Sequence, residues 1–435
     1  MPKVKVVSEV LLRIRNSCQS FFKENFNTNS LNLAIFFSLP IYINCFLMYY
    51  DVKINFLLQF IFTLILFVSF FYLFCKKHKW FGSGFFIGLF WFWWIGLSFR
   101  YYNLSWMAPI VAVLIALFYG VVFWLIGKIY VFLSNKNQIM GKLFLTLVFT
   151  FGFDYLSPFT FDWLKPEVLF VNSFYSVNKI AVFLLISDFV FCKELKGFAV
   201  FLSVLALSFH NPKPPKPPKL NISVATTNVP QNLKWQKSYI LLEISNNFKI
   251  IKKAIKNKND VVILPESAFP LFLNKYPFLI DKLKKLSEKI TIITGALHLK
   301  NNKFYNSTYI FEKGKMTILD KHVLVPFGEY IPLPVFQKEI NEIFFNGASD
   351  YATSGKFGIF SIKNYKFINA ICYEATMSEV YKLTPKYVIA LSNDAWFMPS
   401  IMPSLQQMII KIYAKRYGKI VYHSINAFKA SSPTL

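Results

Sequence analysis

The chain has 435 residues, of which 55% are hydrophobic, 19% aromatic and only 16% charged, with a mean hydropathy of +0.41. That balance excludes a disordered chain and a wholly soluble one, and it makes membrane insertion the first hypothesis. The formal net charge of +26 does not read as a nucleic-acid footprint, because the lysines are scattered and no recognition helix or RNA-binding aromatic motif accompanies them; lysine near membrane ends instead faces anionic lipid.

Residues 1–30 are basic and lack a small-residue cleavage site, so the first apolar span is expected to stay as an anchor. Apolar runs at 31–50, 54–75, 81–99, 107–133 and 139–156 each approach or exceed the roughly 18 residues that cross a bilayer. Two shorter runs, 180–192 and 198–209, read as tilted short spans or as the arms of a re-entrant hairpin, and either option leaves an odd total of crossings. Positive charge chooses the side. Lys3, Lys5, Arg13, Arg15, Lys23, Lys76, Lys77, Lys79, Lys136, Lys142, Lys193 and Lys196 fall on one face, against Lys53, Arg100, Lys165 and Lys179 on the other. This places the N-terminus in the cytoplasm and everything after Pro212 outside. Asp154, Asp162 and Asp188 lie in or beside apolar runs and read as interfacial or lysine-paired groups in preference to an intramembrane pathway. The crowd of Trp91, Phe92, Trp93, Trp94 and Arg100 to Tyr102 fits an aromatic belt at the outer interface.

The membrane domain of 31–210 ends at a Pro/Lys segment, 211–220, expected to form a stiff polyproline II spacer. Beyond it, strand patterns at 222–225, 261–264, 290–297, 304–311, 357–362, 367–371 and 387–391 alternate with helical ones at 238–256, 278–288, 378–381 and 406–417. That alternation predicts a layered α/β domain over 221–435. Of the five cysteines, Cys18, Cys45, Cys75 and Cys192 belong to or border the apolar half, which leaves Cys372 alone in the second domain. The five histidines are dispersed, Cys372 has no metal-ligand spacing around it and no Gly-rich phosphate loop occurs, so neither a metal nor a cofactor is expected.

Three strand ends present reactive residues: Glu266 in Leu264-Pro-Glu-Ser-Ala-Phe-Pro270, Lys321 in Leu319-Asp-Lys-His, and Cys372 in Ala370-Ile-Cys-Tyr-Glu374. Where a strand turns into a helix, backbone N–H groups are expected to lower the Cys372 thiol pKa and to receive an oxyanion. A carboxylate can take the thiol proton and a lysine can stabilise the tetrahedral oxyanion, so Glu, Lys and Cys suffice for acyl transfer. Taken singly, each has an ordinary structural reading as core thiol, helix cap or solvated cation.

The combination carries more. The phrases around Glu266, Lys321 and Cys372, with Leu324-Val-Pro-Phe-Gly-Glu-Tyr330 and Ser392-Asn-Asp-Ala-Trp-Phe397, resemble the nitrilase superfamily and, more closely, the apolipoprotein N-acyltransferase family. The resemblance covers almost the whole chain. It implies a multi-pass α-helical membrane domain of about seven helices followed by a periplasmic nitrilase-like αββα sandwich, in a bacterial inner membrane. It implies Glu266 as general base, Lys321 as oxyanion stabiliser and Cys372 as nucleophile. Glu329 would assist, Tyr373 and Glu374 would shape the acyl site, and Trp235 would stand near it. A phospholipid is the implied acyl donor, a diacylglyceryl-modified apolipoprotein the acceptor, and a monomer is expected.

Departures are equally specific. The family usually ends in one more membrane helix, whereas 423–435 holds no apolar span, so a closing anchor and a last strand are expected to be absent. Phe397-Met-Pro-Ser400 lacks the glycine that often follows the Ala-Trp-Phe phrase, and the loop 335–351 is individual to this sequence. The rival enzyme reading is a membrane-tethered nitrilase-type amide hydrolase. A transporter would need paired intramembrane charges and broken helices in two matching halves, and no such symmetry is found.

Overall fold

The computed structural model describes residues 13, 15–17, 19–158, 161–195, 199–326, 328–331, 342 and 350–426. Cys18 and most of the loop 335–351 therefore lie outside the described residues. Among the described residues, four helices are long and apolar enough to cross a membrane: Thr28–Tyr49, Phe56–Cys75, Trp80–Tyr102 and Met107–Lys136. At about 1.5 Å per residue, even the 20 residues of the shortest reach about 30 Å. Asparagines start several of the helices. The side-chain oxygens of Asn27, Asn55, Asn137 and Asn178 accept from Ser30, Leu58, Ile139 and Ile180 N–H, satisfying donors the helix itself cannot. The third and fourth spans approach closely because Gly84 has no side chain; a Cβ there would stand 2.3 Å from the Tyr119 carbonyl oxygen.

The fifth expected span is shorter than its apolar run. Its α-helix covers only Gln138–Thr150 and gives way to a 3-10 turn at Gly152–Asp154, where Asp154 pairs with Lys179 at 2.6 Å. The ion pair ends what hydropathy alone would have continued. Asp162 likewise pairs with Lys165 at 2.9 Å, and Asp188 accepts from the Ser203 hydroxyl. Further short helices follow among the described residues, at Lys179–Val190, Cys192–Leu195 and Ala199–Leu207. The expected aromatic belt is also corrected: Trp91, Phe92 and Trp94 are buried among helices, and Trp94 meets Phe397 of the second domain edge-to-face at 4.9 Å.

The second domain is two sheets face to face. In the first, β1 (Ile222–Val224), β3 (Val261–Ile263) and β5 (Thr291–Lys300) run parallel, β6 (Lys303–Glu312) and β7 (Lys315–Asp320) follow antiparallel, and β4 (Phe269–Phe272) pairs with β5. In the second, the order is β2 (Thr226–Thr227), β11 (Ile420–Asn426), β10 (Tyr387–Asn393), β9 (Tyr365–Ile371) and β8 (Ile359–Ile362), parallel except at β8. Strand β11 overturns the expectation that a last strand is absent. It was passed over because Ile-Val-Tyr-His-Ser-Ile-Asn mixes polar and apolar residues, yet all seven are buried between β10 and β2.

Period-two alternation sorts the layers. Ile389 and Leu391 of β10 face the first sheet with Val261, Ile263 and Ile293, whereas Val388 and Ala390 face away. Helices Lys237–Lys256 and Pro277–Ser287 cover the outside of the first sheet. Helix Met402–Tyr417 covers the outside of the second and is buried along most of its length, because its far face packs on the membrane helices. Leu405 and Ile409 share one buried cluster with Leu33, Phe37 and Phe170, so the two domains have a common core. The linker accordingly is no free-standing spacer. Its Lys216 carbonyl accepts from the Tyr387 hydroxyl at 2.8 Å, and Lys219 N–H donates to the Tyr365 hydroxyl at 3.0 Å.

Candidate active site

Glu266, Lys321 and Cys372 each follow a strand and meet at one end of the sandwich. Glu266 sits just past β3, on a turn whose next residue, Ser267, has φ +49°. This turn lies directly against Gly295 of β5, where a Cβ would stand 2.6 Å from Glu266 Cα. Lys321 leaves β7 with its N–H bonded to the Asn306 carbonyl of β6. Cys372 leaves β9 in the left-handed region, φ +54°, at the first residue of a 3-10 turn, Cys372–Thr376. A non-glycine residue held there costs about 1–3 kcal/mol, which the packed turn must offset.

One hydrogen-bonded cluster fixes the charged groups. Asn306 donates through Nδ2 to Glu266 Oε1 at 2.7 Å and to Glu329 Oε1 at 2.8 Å, holding two carboxylates side by side. Lys321 Nζ donates to Glu329 Oε2 at 2.6 Å, and that oxygen also accepts from Val325 N–H. Asn393, at the end of β10, donates its backbone N–H to Glu266 Oε2 at 2.7 Å. Its side chain donates to Gln231 Oε1 and accepts from Asn426, which ties β11 to the same point. Glu374 accepts from Ile371, His322 and Val323 N–H, so one carboxylate locks the Cys372 turn to the turn after β7.

The electrostatics correct one expectation. Although part of Cys372 stays open, burial pushes its thiol well above the ordinary range, Glu266 adds to that, and Lys321 opposes it. A single short 3-10 turn supplies too little dipole to outweigh desolvation among carboxylates. The resting thiol is therefore neutral and needs a base. Burial also raises Glu266, with Lys321 pulling it back and Glu329 adding to the rise. Burial disfavours the Lys321 ammonium, but Glu329 and Glu266 outweigh this and hold it firmly protonated. Glu374 is pushed up to about 7, chiefly by burial.

The remaining expected residues divide. Glu329 joins the cluster. Tyr373 is buried and stacks on Phe161 and Trp163 of the membrane half, with centroids 6.0 and 6.3 Å apart, so it anchors the Cys372 turn between domains. Trp235 stays 39% exposed at the end of helix Gln231–Lys234, outside the hydrogen-bonded cluster. Its neighbour Lys234 is fully buried against Glu243 at 2.7 Å. Asn306, Asn393 and Gln231 were missed: an isolated amide carries no motif signal. Asp394 was missed as a separate group; it is buried, neither carboxyl oxygen has a hydrogen-bond partner among the described residues, and burial raises its pKa well above the ordinary range.

Residues 24–211 match the apolipoprotein N-acyltransferase integral membrane domain, and residues 223–425 match the carbon-nitrogen hydrolase family. A Wolinella succinogenes protein named apolipoprotein N-acyltransferase is 35% identical over 408 residues, spanning 92% of this chain and 95% of that one. Proteins of the same name from Helicobacter hepaticus and Helicobacter pylori are 37% and 36% identical, over 90% and 92% of this chain and 98% and 94% of theirs. The chain thus belongs to the apolipoprotein N-acyltransferase family, as an acyltransferase whose carbon-nitrogen hydrolase domain is built onto a helical membrane domain.

Proposed function

We propose that the chain moves an acyl group from a phospholipid to the α-amino group of the diacylglyceryl-modified N-terminal cysteine of a lipoprotein, through a thioester on Cys372. The cluster of Glu266, Asn306, Glu329 and Lys321 beside Cys372 is the observation that supports this reading most. In the first half-reaction Cys372 sulfur bonds to the ester carbonyl carbon, and Glu266 takes the thiol proton. Lys321 gives one N–H to Glu329 and keeps two for the oxyanion. The carbon–oxygen bond then breaks, and the lysophospholipid alkoxide leaves with the proton held by Glu266.

In the second half-reaction the neutral amine attacks the thioester, Glu266 accepts its proton, the carbon–sulfur bond breaks, and the proton returns to sulfur. A neutral thiol and a base raised toward neutrality suit this reversible exchange. Glu374 and Tyr373 position the turn; Trp235, exposed near the entrance helix, would meet the acyl chain or headgroup. The proposal includes residues 31–210 as membrane domain, 221–435 as catalytic domain, a cytoplasmic N-terminus, a periplasmic site in the inner membrane, and a monomer. Acyl chains resist leaving the bilayer by about 0.8 kcal/mol per methylene, so a site packed onto the spans suits two lipid substrates.

Purified protein incubated with phospholipid and no acceptor should gain the mass of one acyl chain, hydroxylamine-labile and located on Cys372 by peptide mapping. Cys372→Ala should gain none. A folded wild type that gains no adduct, yet hydrolyses amides, would replace this reading with the hydrolase one.

A further inference from the structure

The third span ends beside the catalytic domain in a 3-10 segment, Trp93–Tyr102. Arg100 lies there with its guanidinium 4.8 Å from the Tyr101 ring centroid and one Nη2–H given to the Met398 carbonyl. Its Nε is buried without a hydrogen-bond partner, and no carboxylate is in ion-pair range of it among the described residues. Several other buried or half-buried cations are matched by carboxylates, whereas Lys411, Lys415 and Lys419 rest on neutral oxygens. Lys165 has Asp162, Lys179 has Asp154 and Glu167, Arg416 has Glu167, and Lys321 has Glu329. Arg100 is a permanent charge with donors to spare.

The guanidinium opens on a cleft lined by Tyr101, Asn232 and Met398, which continues past Asn228, Gln231 and Ala395. The cleft shares a wall with the active site: Gln231 receives the Asn393 side chain, and Asn393 N–H holds Glu266. Trp396 packs on the neighbouring tyrosines, edge-on to Tyr101 at 5.4 Å and stacked on Tyr102 at 6.2 Å. A fork of N–H donors beside polar amides and aromatic rings matches a phosphate oxygen pair at the foot of lipid chains.

We propose that the cleft of Arg100, Tyr101 and Asn232 binds the phosphodiester of the acyl donor. The inference rests on the proposed donor and deepens it. Both lipid substrates carry glycerol-linked chains, and only the donor carries a phosphate. An unpaired arginine at the mouth therefore selects the donor while the thiol is free and adds nothing for the acceptor.

Binding can be read apart from chemistry in the full-length Cys372→Ala protein. Native mass spectrometry would titrate a dialkyl-ether phosphatidylglycerol, which offers no ester to attack, and its phosphate-free dialkylglycerol counterpart. Adding Arg100→Gln should weaken the phospholipid about tenfold or more, as expected for loss of a charge-assisted bidentate contact, and leave dialkylglycerol binding unchanged. Adding Arg100→Lys should recover part of the loss. In proteins with Cys372 intact, Arg100→Gln should raise the donor concentration for half-maximal acylation and leave its maximum rate, and deacylation by a diacylglyceryl peptide, unaltered. Equal losses for both ether lipids would assign Arg100 to holding the Met398 loop and overturn the proposal. So would an unchanged phospholipid titration, or inorganic phosphate binding as tightly as the lipid, which would mark a free-anion site. Loss of binding in Arg100→Gln together with no thioester in wild type would keep the headgroup site and reject the donor role.

Discussion

At the scale of single residues, the candidate site gathers two carboxylates and a thiol around one lysine. Glu266 keeps its proton to higher pH than a free glutamate, whose pKa is about 4.3. Below its raised pKa it holds the proton and cannot accept another; above it the base is available. Acylation should therefore climb with rising pH along a limb that lies above the ordinary carboxylate range, and Glu266→Gln should abolish the limb with the activity, as read from initial rates of acyl-enzyme formation. Asn306 donates to the ionised forms of both Glu266 and Glu329. Hydrogen bonds to charged groups are worth about 1.5–3 kcal/mol, so Asn306→Ala should slow acylation at neutral pH by about 10–100-fold. It should also move the limb to still higher pH, because the carboxylate form loses a donor. Glu266, Lys321 and Cys372 were legible in the sequence since each lies in a phrase tied to a strand end. Asn306 was not, because its importance comes from which two side chains β6 places beside it.

At the scale of elements, strand ends carry the candidate site residues and strand packing sets their height. The turn bearing Glu266 lies so close to β5 that Gly295 has no room for a side chain: a Cβ would be 2.5 Å from Ser267 N. Gly295→Ala should push that turn outward, cost about 1–3 kcal/mol of stability by overpacking, and lower acylation more than it lowers the thermal midpoint in detergent. Most strands and helices of this half were readable to within a few residues, because alternation and 3.6-residue periodicity mark which face is buried. β7 and β11 escaped. Met-Thr-Ile-Leu-Asp is short, and Ile-Val-Tyr-His-Ser-Ile-Asn buries its polar side chains too, with Ser424 bonded to the Ala225 carbonyl and His423 to Ser392. Pattern reading equates polar with exposed, and between two parallel neighbours that equation fails.

At the scale of the whole molecule, the two halves act as one body through helix Met402–Tyr417. Its Ser404 and Lys411 meet Asn44 and Asn172 of the membrane half at 3.0 and 2.9 Å, and Arg416 meets the almost fully buried Glu167 at 2.7 Å. Glu167 keeps Lys179 at 2.5 Å, so Arg416→Ala should cost about 3 kcal/mol, the lower end for breaking a buried pair. A lowered thermal midpoint with acylation retained at low temperature would separate this docking role from the chemistry, and adding Glu167→Gln should restore part of the midpoint.

By itself the sequence determined that the chain enters a membrane, that an α/β domain follows the proline-rich segment, and which glutamate, lysine and cysteine stand at strand ends. Those are consequences of local physics: apolar length, periodicity and residue type at a break. Only the tertiary structure decided that the linker lies flat, that the aromatic residues near Trp94 join domains instead of facing lipid, and that the Cys372 thiol is raised and not lowered. Each of these depends on what distant segments place around a residue. Desolvation, ion pairing and shared cores arise between parts of the chain far apart in order, and no local window contains them.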